Sequence, residues 1–421
     1  MNNIKEIFDK EIKKIKPDKE IFEKIKNICN EFCLDLRKKL KAKNIEAKVF
    51  VGGSLAKDTI IKKNKYDIDI FVRFNKKYDK KISEILGRIL GKGAKKIHGS
   101  RDYYQLIIDG IIVEVVPVIE IKHPEEAKNV TDLSYFHVNY IVNKIKKNKK
   151  LSDEIRLAKT FAHAQNVYGA ESYIHGFSGY ALELLVSYYG SFLKFIKKII
   201  EINENERTVI DDSRYYKNKE EVLMKLNESK LNSPIILIDP TFKERNALAS
   251  LSKETLKKFK EKCREFLKNP KQDFFEKKPV EEKFSNQKNI KKISVKTNKQ
   301  KGDIAGTKSR KFFDYFIYEL KKEFEIKKAE FDYDENKNIA NFYFIVENKK
   351  EEVKKGPPII SVENLTAFKK KHKNAFIKNG FSYSKITHKL NFEQWFKDFK
   401  KDNKGTINEM SIESIEQDFI K

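Results

Sequence analysis

Ala47-Lys-Val-Phe-Val-Gly-Gly-Ser-Leu-Ala-Lys57, followed by Asp67-Ile68-Asp69, is the stretch whose reading decides the fold. Ala47 to Val51 reads as a strand that breaks into a Gly-Gly-Ser turn. A turn without bulky side chains lets backbone N–H groups come close to a phosphate, and Ser54 and Lys57 extend that cradle. The second strand, Tyr66 to Phe74, carries acids at alternate positions. A period of two puts Asp67 and Asp69 on one face and Ile68, Ile70 and Val72 on the other. Paired carboxylates beside a phosphate cradle suit Mg²⁺, which takes hard oxygen ligands together with substrate phosphates. The stretch therefore points to metal-dependent nucleotide chemistry.

The flanking sequence extends the sheet. Residues 3–43 read as two helices split near Pro17-Asp18, with Ile21, Ile25, Ile28, Phe32 and Leu36 at helical spacing. A helix near Lys81–Gly91 is followed by strands Tyr103–Ile108 and Ile111–Val116 around Asp109-Gly110, a hairpin signal. Glu114 is the only acid in its apolar strand. An unpaired charge there is costly, so it faces a metal, a cation or an open cleft, with a buried ion pair as the plain alternative. Beside the Asp pair it becomes the candidate third ligand.

Further along, helices are expected at Ser152–Tyr168 and Phe177–Ile200, then an insertion-like polar stretch to about 240 and the strand Ile235–Ile238. Ser252 is the expected N-cap of a helix with Leu256, Phe259, Cys263 and Phe266 on one face. Residues 268–311 hold fourteen Lys or Arg against five Asp or Glu and read as a solvated, phosphate-tracking connector. An aromatic helix, Phe312–Phe324, is expected to bury its rings as core. Strands at Lys328–Tyr333 and Ile339–Glu347 follow, then Gly356-Pro357-Pro358 and helices near Glu363–Lys378 and Asn391–Lys401. His163 lies on a helix and reads as an ordinary packed or exposed histidine.

A chain of 421 residues has room for two to four domains. Its net charge of +27 favours a polyanionic partner, nucleic acid before a membrane surface. Only ten of its 89 basic residues are Arg, however, and Lys–Asn–Ile richness is also what a biased genome composition gives. Cys29, Cys33 and Cys263 have no Cys or His partners at zinc spacing and read as buried thiols of a reducing compartment. No apolar signal region opens the chain and no run of about 18 apolar residues occurs, so a soluble, cytoplasmic protein is expected.

The strand, Gly-Gly-Ser turn, Asp-x-Asp strand and acid-bearing hairpin together resemble the nucleotidyltransferase superfamily of polymerase beta and eukaryotic poly(A) polymerases. Gly53-Ser-Leu-Ala-Lys-Asp-Thr59, Val113-Glu-Val-Val-Pro117, Val167-Tyr-Gly-Ala-Glu171, Gly176-Phe-Ser-Gly-Tyr180, Asp239-Pro240 and Arg245-Asn246 occur in the order of archaeal-type (class I) CCA-adding enzymes. The resemblance covers roughly residues 1–280. It implies a multidomain α+β fold: a polymerase-beta-like head or palm with a mixed sheet (1–148), a helical neck and start of the body forming the base pocket (149–280), and an α+β body and tail that binds tRNA (281–421). It also implies addition of C, C and A to tRNA 3′ ends from CTP and ATP. Asp67, Asp69 and Glu114 would hold two Mg²⁺ ions. Gly53, Ser54 and Lys57 would cradle phosphates, Ser134, His137, Lys159 and Tyr168 would add phosphate and sugar contacts, and Arg245 would read the incoming base. From the residues alone, a salt bridge near the following helix is the first reading of Arg245, and the resemblance reverses that order. The tRNA partner would be gripped at its acceptor–TΨC minihelix; monomer and homodimer both stay open, and no membrane is implied.

Departures from the family pattern are visible. Glu114 stands where Asp is usual, Lys57 replaces Arg, Leu133-Ser134-Tyr135 replaces Arg-Thr-Pro, and His175 replaces Arg before Gly176. Two other readings follow from the same residues: a poly(A) polymerase or another RNA-tailing enzyme, and an RNA-binding relative without turnover. Three retained carboxylates argue against the latter.

Overall fold

The computed structural model describes residues 2–99, 101–284, 287, 289–349, 352–386 and 391–418. It resolves into two compact units, Met1–Ala170 with Ile174–Lys277, and Glu171–Tyr173 with Lys278–Lys421.

The first unit begins with α1 (Asn2–Ile15) and α2 (Lys19–Ala42), separated at Pro17, whose ring cannot continue a helix. Then come β1 (Ala47–Val51), the short α3 (Gly53–Ala56), β2 (Asp67–Phe74), α4 (Ile82–Leu90), β3 (Lys95–Ile97), β4 (Tyr103–Ile108) and β5 (Ile111–Ile119). The strands form one mixed sheet in the order β1-β2-β5-β4-β3, with β2 and β5 parallel and the other pairs antiparallel. Asp109 and Gly110, at φ 49° and 82°, make the tight β4–β5 hairpin. On β2 every second side chain, Ile68, Ile70, Val72 and Phe74, is fully buried. These residues pack with Ile25, Leu36 and Leu40 of α2 and Leu86 of α4. That core covers one face of the sheet, and the carboxylates occupy the other.

The rest of this unit is α5 (Ser134–Lys147), α6 (Leu151–Ala164), α7 (Gly179–Tyr189), α8 (Phe192–Ile199), β6 (Thr208–Ile210), α9 (Lys219–Lys225), α10 (Glu228–Leu231), β7 (Ile235–Asp239), β8 (Phe242–Asn246) and α11 (Lys253–Lys268). The expected helix 177–200 is two helices. Gly190 adopts the left-handed conformation that ends α7, and the Ser191 side chain caps α8. The polar stretch 201–240 is not a mere insertion. It supplies β6, the fully buried β7 and a satellite core of Val222, Leu226, Leu231, Ile236 and Ile238. Phe161 sits at the centre of an aromatic cluster, its ring centroid 5.5–5.8 Å from those of Phe192, Phe259, Phe266 and Phe275.

The second unit holds β9 (Ile290–Thr297), α12 (Gly302–Glu323), β10 (Phe324–Asp334), β11 (Ile339–Asn348), β12 (Glu352–Pro358), α13 (Val362–Lys371), β13 (Ala375–Lys378), β14 (Phe381–Ile386), α14 (Phe392–Asp402), α15 (Lys404–Glu409) and β15 (Ile412–Asp418). A four-stranded sheet, β10-β11-β9-β15, packs against Phe312, Phe313 and Phe316 of α12 and Trp395 and Phe399 of α14. Phe312, Phe313 and Phe316 are core, as their spacing implies, whereas Tyr318 of the same helix is exposed.

The lysine-rich segment 268–311 is not a connector. It contains central strand β9, with Ile293, Val295 and Thr297 buried, and the first half of α12. Its lysines mask a period-two pattern because their charged heads reach solvent while the strand is buried. Gly356-Pro357-Pro358 ends β12 rather than interrupting the chain, and the helix expected to run to Lys378 stops at Lys371 before β13. Among the described residues no helix is long and apolar enough to cross a membrane.

Phe161→Ala should cost about 3–5 kcal/mol, because the surrounding rings can only partly fill the hole. Denaturant unfolding of the full chain would measure it. A loss below about 1 kcal/mol would mean that this cluster collapses freely and does not anchor the unit.

Candidate active site

The site begins where β1 ends. Gly52 N–H donates to Asp69 O at 2.8 Å, locking the turn to β2. Gly53 has φ +58°, and a Cβ there would lie 1.7 Å from Asp69 Oδ2. Only glycine lets the chain press against that carboxylate while holding a left-handed conformation. The glycines therefore fix the Asp69 side chain.

Parallel pairing sets Asp69 opposite Glu114, so both point to the face that Asp67 also occupies. Burial, then the charges of Asp67 and Glu114, push the Asp69 carboxyl up to about 7, against the pull of Lys57 and Lys63. Burial also raises Glu114, whose Oε1 accepts from Gln105 Nε2 at 2.7 Å. Asp67 Oδ1 accepts from Lys63 Nζ at 3.0 Å. With Asp67 and Glu114 turned to these partners, no group of three or more His, Cys, Asp or Glu is drawn into a metal-ligating cluster among the described residues. The donors are nevertheless all carboxylate oxygens on one sheet face, and their mutual repulsion is what a bound divalent cation would relieve. The set fits a hard cation such as Mg²⁺.

The segment after the turn is tied to α6 and α7 at four successive residues. Lys57 Nζ bonds Glu183 Oε2 at 2.7 Å. Asp58 Oδ1 takes Arg156 Nη2 at 2.8 Å. Thr59 Oγ1 accepts from Lys159 Nζ at 3.2 Å. Ile60 O accepts from Arg156 Nε at 2.9 Å. Lys159 Nζ also donates to Glu183 Oε1 at 2.7 Å, so one wholly buried carboxylate holds two ammonium groups. Burial pushes the Glu183 carboxyl up, but Lys159 and Lys57 more than offset it and hold it below the ordinary range.

Tyr168 lies beside these lysines. Its ring stacks on His163 at 3.8 Å, and a Cβ on Gly179 would come within 2.7 Å of its hydroxyl and 4.0 Å of Lys159 Cε. The Tyr168 and Gly176 motifs are one structural feature: Gly169 N–H donates to Phe177 O, Gly176 N–H to Gly169 O and Phe177 N–H to Val167 O. A Cβ on Gly176 would sit 2.1 Å from Val167 O. His163 is exposed and packs its ring on Tyr168.

A second cluster surrounds Asp239, at the end of β7. Arg245 Nη1 donates to Asp239 Oδ2 at 2.7 Å, and His137 Nε2 lies 3.0 Å from the same oxygen but out of line for a hydrogen bond. Burial lowers His137 and outweighs the raising effect of Asp239, so the ring favours its neutral form. That ring stacks on Tyr180 at 4.1 Å. The salt bridge expected of Arg245 exists, and its partner is this acid. Ser134 opens α5 one turn before His137. Leu133, where the family pattern has a cation, is buried in the core that packs on β2, and Arg73 lies 3.9 Å over the ring of Tyr135.

The structure thus gathers Gly53, Lys57, Asp67, Asp69, Glu114, Lys159 and Tyr168 in one site, and His137 with Arg245 in the adjoining Asp239 cluster. Sequence reading passed over Glu183, Arg156 and Gln105. The signal for Glu183 was available: a single acid in the apolar run Tyr180-Ala-Leu-Glu-Leu-Leu-Val186, the same argument that singled out Glu114.

A mixed sheet with this carboxylate face and glycine turn, joined to helices that supply lysines, defines a nucleotidyltransferase. Residues 1–135 match the Second Messenger Oligonucleotide or Dinucleotide Synthetase domain, and residues 153–276 the second domain of tRNA nucleotidyltransferase. The CCA-adding enzyme of Methanocaldococcus jannaschii is 30% identical over 394 residues, 89% of this chain and 86% of that protein. That of Nanoarchaeum equitans is 42% identical over 208 residues, 48% of this chain and 51% of that protein. The chain therefore belongs to the CCA-adding enzyme family, although its match spans only about half the length of the Nanoarchaeum relative. Among solved structures, a cytoplasmic RNA terminal U-transferase superposes with a TM-score of 0.52 at 14% identity, covering 66% of this chain and 100% of that one. The Cid1 poly(U) polymerase gives 0.51 at 13%, covering 65% and 98%. At such identities these show the shared fold alone.

Gly53→Ala should reduce nucleotide transfer about 100-fold, since displacing a reacting group by about 1 Å costs that much. Steady-state nucleotide addition, run beside a thermal melt of the same variant, would measure it. A fall of less than about threefold would mean that Asp69 does not depend on this turn for its position.

Proposed function

We propose that this chain extends tRNA 3′ ends with C, C and A, drawing on CTP and ATP and releasing pyrophosphate without a nucleic-acid template. The observation that carries this reading is the pairing of Asp69 with Glu114 on the Asp67 face, set against a glycine turn and two buried lysines. Family membership supplies the substrate class.

In this reading Asp67, Asp69 and Glu114 hold two Mg²⁺ ions. When bound, Mg²⁺ lowers the pKa of the attacking tRNA hydroxyl and neutralises the leaving pyrophosphate. The fold neighbour Cid1 has been described with Mg and 3′-dATP bound, which agrees with that choice of cation. Gly53 and Ser54 present backbone to the triphosphate. Lys57 and Lys159 face it with their ammonium groups preset by Glu183, so little reorganisation is needed when the anion arrives. Ser134, His137 and Tyr168 contact phosphate and sugar, and Arg245 meets the base. The transfer forms a bond from the tRNA 3′ oxygen to the α-phosphorus and breaks the bond to the β-phosphate bridge. In-line positioning of those atoms is the chain's main contribution.

We assign residues 1–148 to the head, 149–280 to the neck and start of the body, and 281–421 to a body and tail that grips the acceptor–TΨC minihelix. The net charge of +27 supports a grip that is largely electrostatic and weakens with salt. The three free, buried cysteines agree with a cytoplasmic setting.

A tRNA lacking its 3′ CCA, incubated with Mg²⁺ and each nucleoside triphosphate singly and together, should gain two C and then one A and stop. Long A tails would instead make the protein a poly(A) polymerase, and tight binding without addition would make it an RNA-binding relative. Asp67→Ala with Asp69→Ala should abolish addition while tRNA affinity, measured by filter binding, changes less than about threefold. Substantial residual transfer would defeat the assignment of the metal face.

A further inference from the structure

Asp239 is wholly buried, yet four hydrogen-bond donors from α7, β8 and the turn between β7 and β8 converge on it. Its Oδ1 accepts from Tyr180 OH at 3.0 Å, from Thr241 N–H at 2.8 Å and from Thr241 Oγ1 at 2.8 Å. These three bonds fix the plane of the carboxylate before any ligand enters. Its Oδ2 faces His137 of α5 and takes Arg245 Nη1 of β8 at 2.7 Å. A charge-assisted bond to an immobile acceptor defines where the guanidinium can lie.

The hold on Arg245 is one-sided. Asp239 engages Nη1, and among the described residues no hydrogen bond occupies Nε or Nη2. The side chain keeps 24% of its exposure and lines an open cavity of about 450 Å³ together with Asn129, Ser178, Lys230 and Phe242. Nη1 is thus tethered to a wholly buried acid, while the residue as a whole borders the cavity. The Arg245 guanidinium also lies 5.7 Å over the ring of Tyr180, which restricts its tilt.

We propose that Asp239 is a positioning residue for base selection, holding Arg245 so that its free edge presents only donors in one fixed direction. This rests on the reading that Arg245 meets the incoming base. The chemistry of the selection follows from the guanidinium, which has donors and no acceptor. Cytosine and adenine each carry a ring nitrogen acceptor beside their amino group, and a fixed donor satisfies it. Uracil and guanine carry a ring N–H at that place, which would face another donor. A site built this way rejects the mismatched base by leaving buried groups unpaired. An Arg free to swing could instead reach the carbonyl oxygens of uracil or guanine, and the discrimination would fade. Asp239 acts by denying that freedom.

The test uses the full chain, a tRNA lacking its 3′ CCA, and initial rates with CTP, ATP, UTP and GTP for wild type, Asp239→Asn, Arg245→Ala and the double variant. Asp239→Asn should lower the CTP:UTP rate ratio about tenfold, the scale of one lost charge-assisted hydrogen bond. In the Arg245→Ala background the same change should move the ratio less than about twofold, because the two residues act through one contact. An unchanged ratio in folded Asp239→Asn, with a lowered ratio in Arg245→Ala, would overturn the positioning role and leave base reading by Arg245 standing. An unchanged ratio in Arg245→Ala would overturn the base-reading role and this inference with it. Should a thermal melt find Asp239→Asn unfolded, Thr241→Val decides. That variant keeps the carboxylate and its ion pair but loses one anchoring hydroxyl, and should lower the ratio about threefold; no change would overturn the proposal.

Discussion

Three carboxylates gathered on one face of a sheet repel one another, and much of the first unit can be understood as the means of holding them there. The opposite face of β2 is packed without a gap by Ile68, Ile70, Val72 and Phe74, so the strand cannot rotate to separate its acids. Parallel pairing with β5 brings Glu114 into register and allows no slip, since a shift of one residue would turn Glu114 into the core. Burial first, and then this repulsion, raise the Asp69 carboxyl, while Asp67 turns to Lys63 and Glu114 to Gln105.

A second pattern recurs in the first unit: a buried acid that holds basic side chains. Glu183 joins Lys57 and Lys159, and Asp239 holds Arg245 beside His137. Replacing a buried ion pair with apolar residues is often neutral or stabilising, so stability alone gives weak reason to keep either one. What each acid provides is direction. Glu183 aims two ammonium groups from different parts of the chain at one place, and Asp239 aims a guanidinium. The two acids thereby fix cations at two separate places in the first unit.

The carboxylate face was legible from residues 47–74 and 111–117 because alternation on a strand is a short-range pattern that burial cannot reverse. The hairpin at Asp109-Gly110 and the split at Pro17 were legible for similar reasons, each resting on the backbone preference of one or two residues. What escaped was of two kinds. Strand β9 was hidden by its lysines, whose long apolar stems accompany a buried strand while their charges count as solvent. The roles of Glu183 and Arg156 depend on partners about 100 or more residues away, and spacing along the chain says nothing of such distances. Arg245 lay between these cases: its ion pair was anticipated, but the identity of the partner needed the fold.

The four-residue seam 57–60, bonded at every position to α6 or α7, has a consequence for how the first unit comes apart. Residues 57–60 cannot part from α6 and α7 one link at a time, because Arg156 alone binds two of the four residues and Glu183 ties Lys57 to Lys159. Backbone amides along this seam should exchange their hydrogens with solvent only when the whole unit opens, as slowly as those in the middle of β2. Motions of the first unit must then arise outside the seam, which behaves as a fixed frame.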